Sequence, residues 1–449
     1  MKRRDFLTMS AGLALLAGCA PGSGQSTSTG SAPAPSAVST DPAKIGRATL
    51  TVWDQEVRGG GNSELTKLIA SFQKAYPDIT IKRVSRSFDD LTKTLRLALS
   101  GNDAPDVIQA NNTRSQMGEF VKAKYIIPLD SYATAYKWND RYSESLRATA
   151  SYSTDAKTFG SGTLYGLPQM GEVVAIYTNK SKLSSLGIKS PSTWEEFEAA
   201  LARAKSSGEV PLAFGNLDKW PAIHILGVLQ GQYEQPAAAR KLGYGDAGAS
   251  WTSDGNRKAL TKFQEWVTKG YFTPGFNGLG YDPAWQQFSK GKGVFLIAGT
   301  WLAADLTTAM KDNVGFILPP PAKAGGVSYT TGATSLPFAI TGKCKNPDAA
   351  AAFINHITSS EAMKVIAETG NLPVVESDKQ KAPDALSKQL FDAFGTTTKN
   401  DALLPYLDWA TPTMSDTLGA ALQDLLAKRA SVDQTAQTIQ KDYGDFTSK

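Results

Sequence analysis

Cysteine and histidine are almost absent from this sequence, which has two of each among 449 residues. A disulfide framework needs more cysteines than this, and a zinc cluster needs several cysteines or histidines at ligand spacing. Both kinds of stabilised small domain are therefore excluded. The composition, with 41% hydrophobic and 20% charged side chains, is that of a globular protein. At about 150 residues per domain, the length predicts two or three domains.

Long runs of charge and long apolar runs are also missing. The 47 basic and 42 acidic side chains give a net charge of +5 that is spread along the chain, which does not favour a nucleic-acid partner. The apolar stretch after Lys2, Arg3 and Arg4 ends at Ala17 after about twelve residues, too few to cross a bilayer. The sequence therefore predicts neither a nucleic-acid-binding nor a membrane-spanning protein.

The first residues have the pattern of a secretion signal. A charged start, a short apolar core and small residues predict a signal peptide over residues 1–18. Arg3-Arg4 with Phe6-Leu7 resembles a twin-arginine signal, although the general secretory route stays open. Leu16-Ala-Gly-Cys19 resembles the lipobox of bacterial lipoproteins, which implies that Cys19 carries the lipid and becomes the first residue. The alternative is an ordinary signal peptide with a chance cysteine.

A segment without a core-forming pattern follows. Residues 20–40 consist of Gly, Ser, Thr, Pro, Ala and Gln with a single valine and no charged side chain. Such a composition predicts a flexible tether, which we assign to residues 19–44. The folded body is then expected to begin near Ile45 and to lie on the extracytoplasmic face of the cell membrane.

The body alternates between strand and helix patterns. A β-branched run over 49–54 is followed by a glycine loop, Gly59–Gly61, and by Leu65, Leu68 and Phe72 at helical spacing. Thr193 and Glu196 predict a capping box at the start of another helix. Further strands are predicted at 79–81, 106–108, 173–178, 294–298 and 336–340. This alternation predicts an α/β fold with mostly parallel sheets.

Polar and aromatic side chains follow several of these strands. In open α/β sheets, ligands bind beyond the carboxyl ends of the strands. The segments there contain Trp53, Asp54, Gln55 and Glu56; Asn111 and Asn112; Gln169 and Glu172; and Thr300 and Trp301. Amides and carboxylates pair with hydroxyl groups, and an indole covers the apolar face of a sugar ring. The set therefore favours a polyhydroxylated ligand.

Seven stretches in order resemble one family. They are Phe72–Ile81, Ala104–Ile108, Leu164–Pro168, Tyr177–Lys180, Pro191–Phe197, Phe288–Trp301 and Lys345–Ala350. Together they are similar to the extracellular solute-binding proteins of bacterial ABC importers, in particular the family 1 group of carbohydrate, maltose-type receptors. The stretches extend over nearly all of the chain that follows the signal peptide.

The resemblance implies a two-lobed α/β fold of the periplasmic-binding-protein type II class, with a ligand cleft between lobes and several hinge crossings. It assigns 45–155 and 329–366 to one lobe, and 156–328 and 367–449 to the other. Periplasmic binding proteins close around their ligands by hinge motion, so the resemblance implies closure here as well. The implied partners are a carbohydrate, two permease subunits with their ATPase, and the membrane through the lipid anchor. The resemblance implies a monomer without a cofactor or a metal.

The resemblance also implies a set of ligand-binding residues, most of them in segments that follow the first strand or the matching stretches. They are Asp54, Gln55, Asn111, Asn112, Gln169, Glu172, Asp218, Trp220, Trp301, Tyr329 and Trp409. Within this set, Trp301 provides the stacking indole and Trp409 matches an aromatic position of the family. Trp194 and Trp266 lie on the apolar faces of predicted helices and are interpreted as core, and the two histidines are interpreted as structural.

An enzyme is the rival class. Gly243–Gly248 matches the spacing of a dinucleotide-binding loop, but no strand precedes it. Asp54 and Glu172 are a candidate carboxylate pair for glycoside hydrolysis, which needs only two such groups. A purely structural surface lipoprotein and a receptor for a non-sugar solute remain further alternatives. The sequence favours a receptor that performs no chemistry and captures a sugar, expected to be an oligosaccharide.

Overall fold

The computed structural model describes residues 38–448, in which strands and helices alternate as predicted. The signal peptide, Cys19 and most of the assigned tether lie outside the described residues. The strands are β1 Ala48–Asp54, β2 Ile79–Ser85, β3 Val107–Gln109, β4 Ser151–Tyr152, β5 Thr163–Leu164, β6 Gly171–Asn179, β7 Leu212–Ala213, β8 Phe295–Gly299, β9 Val314–Ile317, β10 Thr330–Thr334, β11 Phe338–Ile340 and β12 Leu403–Leu404.

The helices occupy more of the described chain than the strands do. They are α1 Pro42–Ile45, α2 Gly59–Ala75, α3 Phe88–Ser100, α4 Glu119–Lys122, α5 Asp130–Ala135, α6 Trp138–Arg141, α7 Glu144–Ala148, α8 Lys180–Ser185, α9 Trp194–Ser206, α10 Trp220–Tyr233, α11 Pro236–Tyr244, α12 Asp254–Thr268, α13 Tyr281–Ser289, α14 Ala303–Met310, α15 Pro347–Ile357, α16 Ser360–Glu368, α17 Ala385–Lys399, α18 Met414–Leu426 and α19 Val432–Thr447. Within the described part, no helix is both long and apolar enough to span a membrane.

The smaller of the two main sheets has the strand order β11-β3-β1-β2. β1 pairs in parallel with β2 and β3, as the alternation of strands and helices predicts. β11 comes from much later in the chain and pairs antiparallel with β3. Helices α2, α15 and α16 pack together beside this sheet, so their apolar faces and the sheet share one core.

The larger sheet has the order β12-β10-β6-β8-β7, with β9 also paired to β6. β6 is antiparallel to β8, β9 and β10, so the prediction of mostly parallel sheets is wrong for this sheet. All nine residues of β6 except Glu172 are buried. A strand that is buried on both faces has an apolar sequence whether its neighbouring strands are parallel or antiparallel. The apolar pattern therefore does not reveal strand direction.

The chain passes between the two sheets at more than one place. Leu167 exchanges backbone hydrogen bonds with Phe338 of β11, and four residues later Gly171 starts β6. Thr334 of β10 pairs with Gly171, so residues 335–337 carry the chain back to the smaller sheet. A further passage runs beside them, since Gly171 N–H donates to Leu372 O at 2.9 Å. The two-lobed architecture places its crossings here.

The bounds of the lobes stay a prediction, and the pairing of β10 is relevant to the bound at residue 329. The predicted bounds assign residues 329–366 to the first lobe. β10, which begins at Thr330, is hydrogen-bonded to β6 and β12 of the larger sheet. The pairing partners of β10 are distant in the chain, which is why local sequence patterns do not mark the switch.

The glycine triplet after β1 is helical, although its composition predicts a loop. α2 begins at Gly59, and Gly60 and Gly61 are buried in its first turn. A Cβ atom on Gly60 would lie 2.4 Å from Cβ of Ala304 in α14, and one on Gly61 would lie 2.2 Å from Oε2 of Glu56. Glycine is therefore present because α2 approaches its neighbours closely, and not because the backbone turns there.

The end of the assigned tether belongs to the folded body. Val38 packs against the main core, and the backbone N–H of Ser39 donates to Asp348 at 3.1 Å. Residues 42–45 form the short helix α1. Residues 38 and 39 of the assigned tether are thus in contact with the folded body, while the bounds of the tether stay a prediction.

Two other local predictions are confirmed. Thr193 caps α9 through its hydroxyl, which accepts from Glu196 N–H. The Glu196 carboxylate bonds to the backbone and hydroxyl of Ser192 instead of completing the predicted box. Trp194 and Trp266 are core residues, with 7% and 1% of their surface exposed.

Candidate ligand-binding site

A cavity that opens to solvent lies among the segments that follow β1, β3 and β8 and the segment that leads into β6. The walls are formed by Gln55, Glu56, Arg58, Gly61, Phe88, Asn111, Asn112, Met170, Glu172, Trp220, His224, Trp301, Thr334, Leu336, Asn371, Tyr406, Asp408 and Trp409. The lining residues include segments that follow strands of both main sheets, so a molecule in the cavity would contact the surroundings of both sheets.

The segment after β1 is held in place by buried amide contacts. Gln109 at the end of β3 is fully buried; its Oε1 accepts from the Gln55 backbone, and its Nε2 donates to Glu56 Oε1 at 3.0 Å. Burial raises the pKa of the Glu56 carboxyl, while the bond from Gln109 opposes that rise. The backbone of Gln55 and the side chain of Glu56 are thus both held by a residue of the neighbouring strand.

Asp54 does not line the cavity. It has no exposed surface, and its two oxygens accept from Nε and Nη2 of Arg83, each at 2.8 Å. A bidentate pair of this kind uses both carboxylate oxygens. Asp54 also accepts from the backbone N–H of Glu56, so it shapes the segment that carries the lining residues. The predicted carboxylate pair of Asp54 and Glu172 is therefore not assembled in the cavity.

Asn111 and Asn112 both line the cavity, at the end of the segment that follows β3. The backbone of Asn111 is fixed by a bond from its N–H to Gln116 Oε1 at 2.6 Å. Asn112 is 2% exposed, and its Nδ2 donates to the carbonyl of Thr149 at 2.6 Å. The carboxamide of Asn112 is therefore oriented by its nitrogen, and its oxygen can accept from a ligand.

Glu172 is the one residue of β6 that is only partly buried, and it lines the cavity. The hydroxyl of Tyr406 donates to its Oε2 at 3.0 Å. Burial raises the pKa of Glu172 to about 8, with a lowering contribution from the Tyr406 bond and a raising one from Glu56. Asp408 is two residues from Tyr406, and burial raises its pKa to about 6. These groups can accept hydrogen bonds from hydroxyls, or donate them when protonated.

Aromatic rings form one wall. His224 packs 5.2 Å from Trp220, 5.4 Å from Trp301 and 5.4 Å from Tyr406, measured between ring centroids. Burial lowers the pKa of His224 to about 3, so this imidazole is uncharged at neutral pH. His224 was interpreted as structural from the sequence, whereas it lies in the wall of the cavity. Only its spacing from Trp220 on one helical face could have suggested this.

Trp301 follows β8 and packs over the glycine that ends that strand. A Cβ atom on Gly299 would come within 1.9 Å of the Trp301 ring. Thr300 between them is bound to β6 through its hydroxyl, which accepts from Val173 N–H and donates to Gly171 O. One face of the indole is therefore covered by Gly299, and the indole is partly exposed to the cavity.

The remaining predicted residues have other positions. Trp409 lines the cavity but is only 2% exposed, and its ring packs against Phe159 and Tyr406. Gln169 is fully buried and donates to Glu64 at 2.7 Å. Asp218 accepts from the backbone N–H of Tyr281, and Tyr329 directly precedes β10. Gln169, Asp218 and Tyr329 are not among the lining residues.

Several lining residues were not predicted as ligand contacts. Glu56 was noted after β1 but was not carried over as a contact. Two further lining residues lie at helix starts, namely Arg58 just before α2 and Phe88 at the start of α3. Two others, Tyr406 and Asp408, lie in a loop that no predicted strand precedes. Among residues 38–448, no group of three or more His, Cys, Asp or Glu side chains is arranged to hold a metal ion.

Residues 59–364 match the model of the bacterial extracellular solute-binding protein family. This chain belongs to that family. The multiple sugar-binding protein of Streptococcus mutans is 26% identical over 338 residues, which cover 74% of this chain and 77% of that protein. The matched family segment contains β2 to β11 and most of the cavity wall.

Solved structures show the same fold. A chitin oligosaccharide binding protein aligns with a TM-score of 0.77 at 22% identity, covering 90% of this chain and all of that one. The GacH receptor of Streptomyces glaucescens, solved unliganded and with acarbose, aligns with a TM-score of 0.72 at 19% identity, covering 90% and 99%. The two-lobed fold of solute-binding proteins predicted from the sequence is thus confirmed.

Proposed function

We propose that this chain is the receptor of an ABC importer that captures a sugar, an oligosaccharide of a few units, outside the cell and delivers it to the permease. The observation that carries the proposal is the cavity wall that combines Trp220 and Trp301 with the amides and carboxylates of Gln55, Asn111 and Glu172. An indole face beside planar hydrogen-bonding groups suits the alternating apolar faces and hydroxyl edges of a sugar. The name of the Streptococcus mutans relative supports a sugar ligand.

The name of one structural neighbour supports more than one sugar unit. The neighbour with the TM-score of 0.77 carries the name of a chitin oligosaccharide binding protein. Both the aromatic wall and the carboxylates are available along the same cavity, so successive units would have their own contacts.

A thermal-shift screen tests the proposal. The chain with Cys19→Ser, which cannot be lipidated, is screened against D-galactose, raffinose, maltotriose and chitotriose, with spermidine and zinc as controls. A ligand at 100 times its Kd stabilises the folded state by about 2.7 kcal/mol, which moves the Tm by several degrees. A shift with raffinose, maltotriose or chitotriose supports the proposal. A shift with spermidine alone would indicate a non-sugar receptor.

We also propose that the receptor performs no catalysis and needs no cofactor. Relatives and structural neighbours carry the names of binding proteins. The carboxylates of Glu56, Glu172 and Asp408 nevertheless share the cavity, so glycoside hydrolysis is tested directly. Incubation of each bound oligosaccharide for a day, followed by mass analysis, should return it intact. Shorter products that disappear in Glu172→Gln would establish a hydrolase.

The anchor and the partners are part of the same proposal. The pattern Leu16-Ala-Gly-Cys19 supports lipidation of Cys19, and two or more acyl chains suffice for stable membrane attachment. The wild-type chain should fractionate with membranes and the Cys19→Ser variant should not. Permease subunits with their ATPase should show higher ATP hydrolysis when the sugar-loaded receptor is added, and we expect the receptor itself to be a monomer.

A further inference from the structure

Tyr281 contacts both cavity indoles without lining the cavity itself. It is the first residue of α13 and is 5% exposed. Its hydroxyl oxygen accepts a hydrogen bond from Nε1 of Trp301 at 2.7 Å. Its ring centroid lies 4.3 Å from that of Trp220. One buried side chain thus lies behind the two tryptophans that face the ligand space.

The position of Tyr281 is fixed from its own backbone and from the next residue. Oδ2 of Asp218 accepts from the Tyr281 backbone N–H at 2.7 Å. Asp282, which follows it, pairs with Arg58 at 2.8 Å, and the Arg58 guanidinium lies 5.8 Å from the Tyr281 ring centroid. Asp218 therefore supports the site through Tyr281, although it does not line the cavity.

We propose that Tyr281 is a positioning residue that holds the indole of Trp301 in the plane needed to stack on a sugar ring. Gly299 covers one face of this indole, so only the opposite face is available to a ligand. A hydrogen bond at Nε1 fixes the rotation of the ring about its side-chain bonds, which the packing on Gly299 alone does not do. The inference rests on the proposed function, because it concerns the same site.

The Tyr281→Phe variant tests the inference. The phenyl ring keeps its packing on Trp220, while Trp301 Nε1 loses its acceptor. We expect the affinity for raffinose and chitotriose, measured by calorimetry, to fall about three- to tenfold, the range of one hydrogen bond. In a spectrum of protein with 15N-labelled tryptophan, the Nε1–H resonance of Trp301 should move, even without sugar.

Tyr132→Phe is the matched control. The Tyr132 hydroxyl also makes a partly buried hydrogen bond, to Asp348 at 2.7 Å, but Tyr132 is not among the lining residues. Both variants should lower the Tm, and only Tyr281→Phe should lower the sugar affinity. Equal affinity in Tyr281→Phe and wild type would overturn the inference while leaving the proposed function intact.

A double-mutant cycle separates positioning from general destabilisation. Trp301→Phe keeps a ring but removes Nε1, so in that background Tyr281→Phe should cause no further loss of affinity. Additive losses would mean that Tyr281 does not act through Trp301 and would overturn the inference. If none of the four sugars binds the wild-type chain, the proposed function fails. The inference can still be tested in that case, because an unmoved Trp301 resonance in Tyr281→Phe would overturn it on its own.

Discussion

Neighbouring residues at the end of β1 have opposite roles in this protein. Asp54 is buried against Arg83, whereas Gln55 lines the cavity. Both types of side chain suit a polyhydroxylated ligand, so composition does not separate them. Two things distinguish the residues: successive side chains of a strand point to opposite sides, and Arg83, 29 positions further along the chain, binds the carboxylate of Asp54. Sequence patterns located the segment correctly, but the partner that removes Asp54 from the cavity is a tertiary contact.

Truncation of the cavity indole should show its contribution to binding. We expect Trp301→Ala to weaken sugar binding by about 1–3 kcal/mol, the range observed for aromatic platforms under flat ligands. Calorimetric titration with the oligosaccharide identified in the screen measures the loss. Trp53→Ala is the control, because the Trp53 indole packs under Arg86 and does not line the cavity. A normal Tm together with unchanged affinity in Trp301→Ala would contradict the stacking role.

The pKa of Glu172 predicts how stability changes with pH. This pKa is raised from 4.5 to about 8 in the folded chain, so between these two values the folded state holds a proton that the unfolded state has lost. The free energy of unfolding should therefore fall as the pH rises towards 8 and level off above it. Glu172→Gln should show a smaller fall in Tm between pH 7 and 9 than wild type.

The pH range matters because His224 acts in the opposite sense. Its pKa is lowered to about 3, so it costs stability as the pH falls below about 6.5, the usual value for histidine. Between pH 7 and 9 His224 is uncharged in the folded state and largely uncharged in the unfolded state, so it contributes little to the change in Tm. A fall in Tm that is the same in wild type and Glu172→Gln would show that Glu172 is ionised before pH 7.

At the scale of elements, the sequence predicted helices and strands better than it predicted how they pair. The apolar spacing of α2 and the cap of α9 are local signals, and both helices are present. The antiparallel neighbours of β6 come from positions more than a hundred residues later, where no local pattern specifies direction. The glycines of α2 were misread because their cause, the approach of α14, is also distant in the chain.

The close approach of α2 predicts an unusual effect of alanine. Alanine in place of glycine usually stabilises a helix by about 0.5–1 kcal/mol. Gly60→Ala should instead destabilise the protein, because its Cβ would meet Ala304 at 2.4 Å. Gly395→Ala in α17 is the matched control, since nothing lies within 4 Å of the added atom and the ordinary gain is expected. Urea denaturation of the two variants should give changes of opposite sign.

At the scale of the whole molecule, an ion pair connects a segment beside the smaller sheet with a helix that packs on the larger sheet. Arg58 precedes α2 beside the smaller sheet, and Asp282 lies in α13, which packs on β7 and β8 of the larger one. A second contact runs from the Gly59 backbone to Asp305 of α14 at 3.2 Å. These contacts favour the arrangement in which the cavity is walled from both sides.

Removal of this ion pair should therefore weaken capture of sugar. Partly exposed pairs contribute about 0.2–1 kcal/mol, so Asp282→Asn should raise the Kd by up to about fivefold. The radius of gyration from X-ray scattering without sugar should also increase. Asp424→Asn is the control, because its partner Arg429 is five residues away on the same surface. Equal scattering and affinity for Asp282→Asn and wild type would show that the pair does not hold the two sides together.

β11 links the two ends of the family segment in a way that limits how the chain can be divided. Residues 338–340 complete the smaller sheet by covering β3, all three residues of which are buried. A gene fragment that stopped before residue 330 would still contain β1, β2 and β3 but would leave β3 as a bare edge strand. Apolar edge strands recruit other chains and promote aggregation. Truncated forms of this protein should therefore accumulate as insoluble material, even when they contain every earlier strand of that sheet.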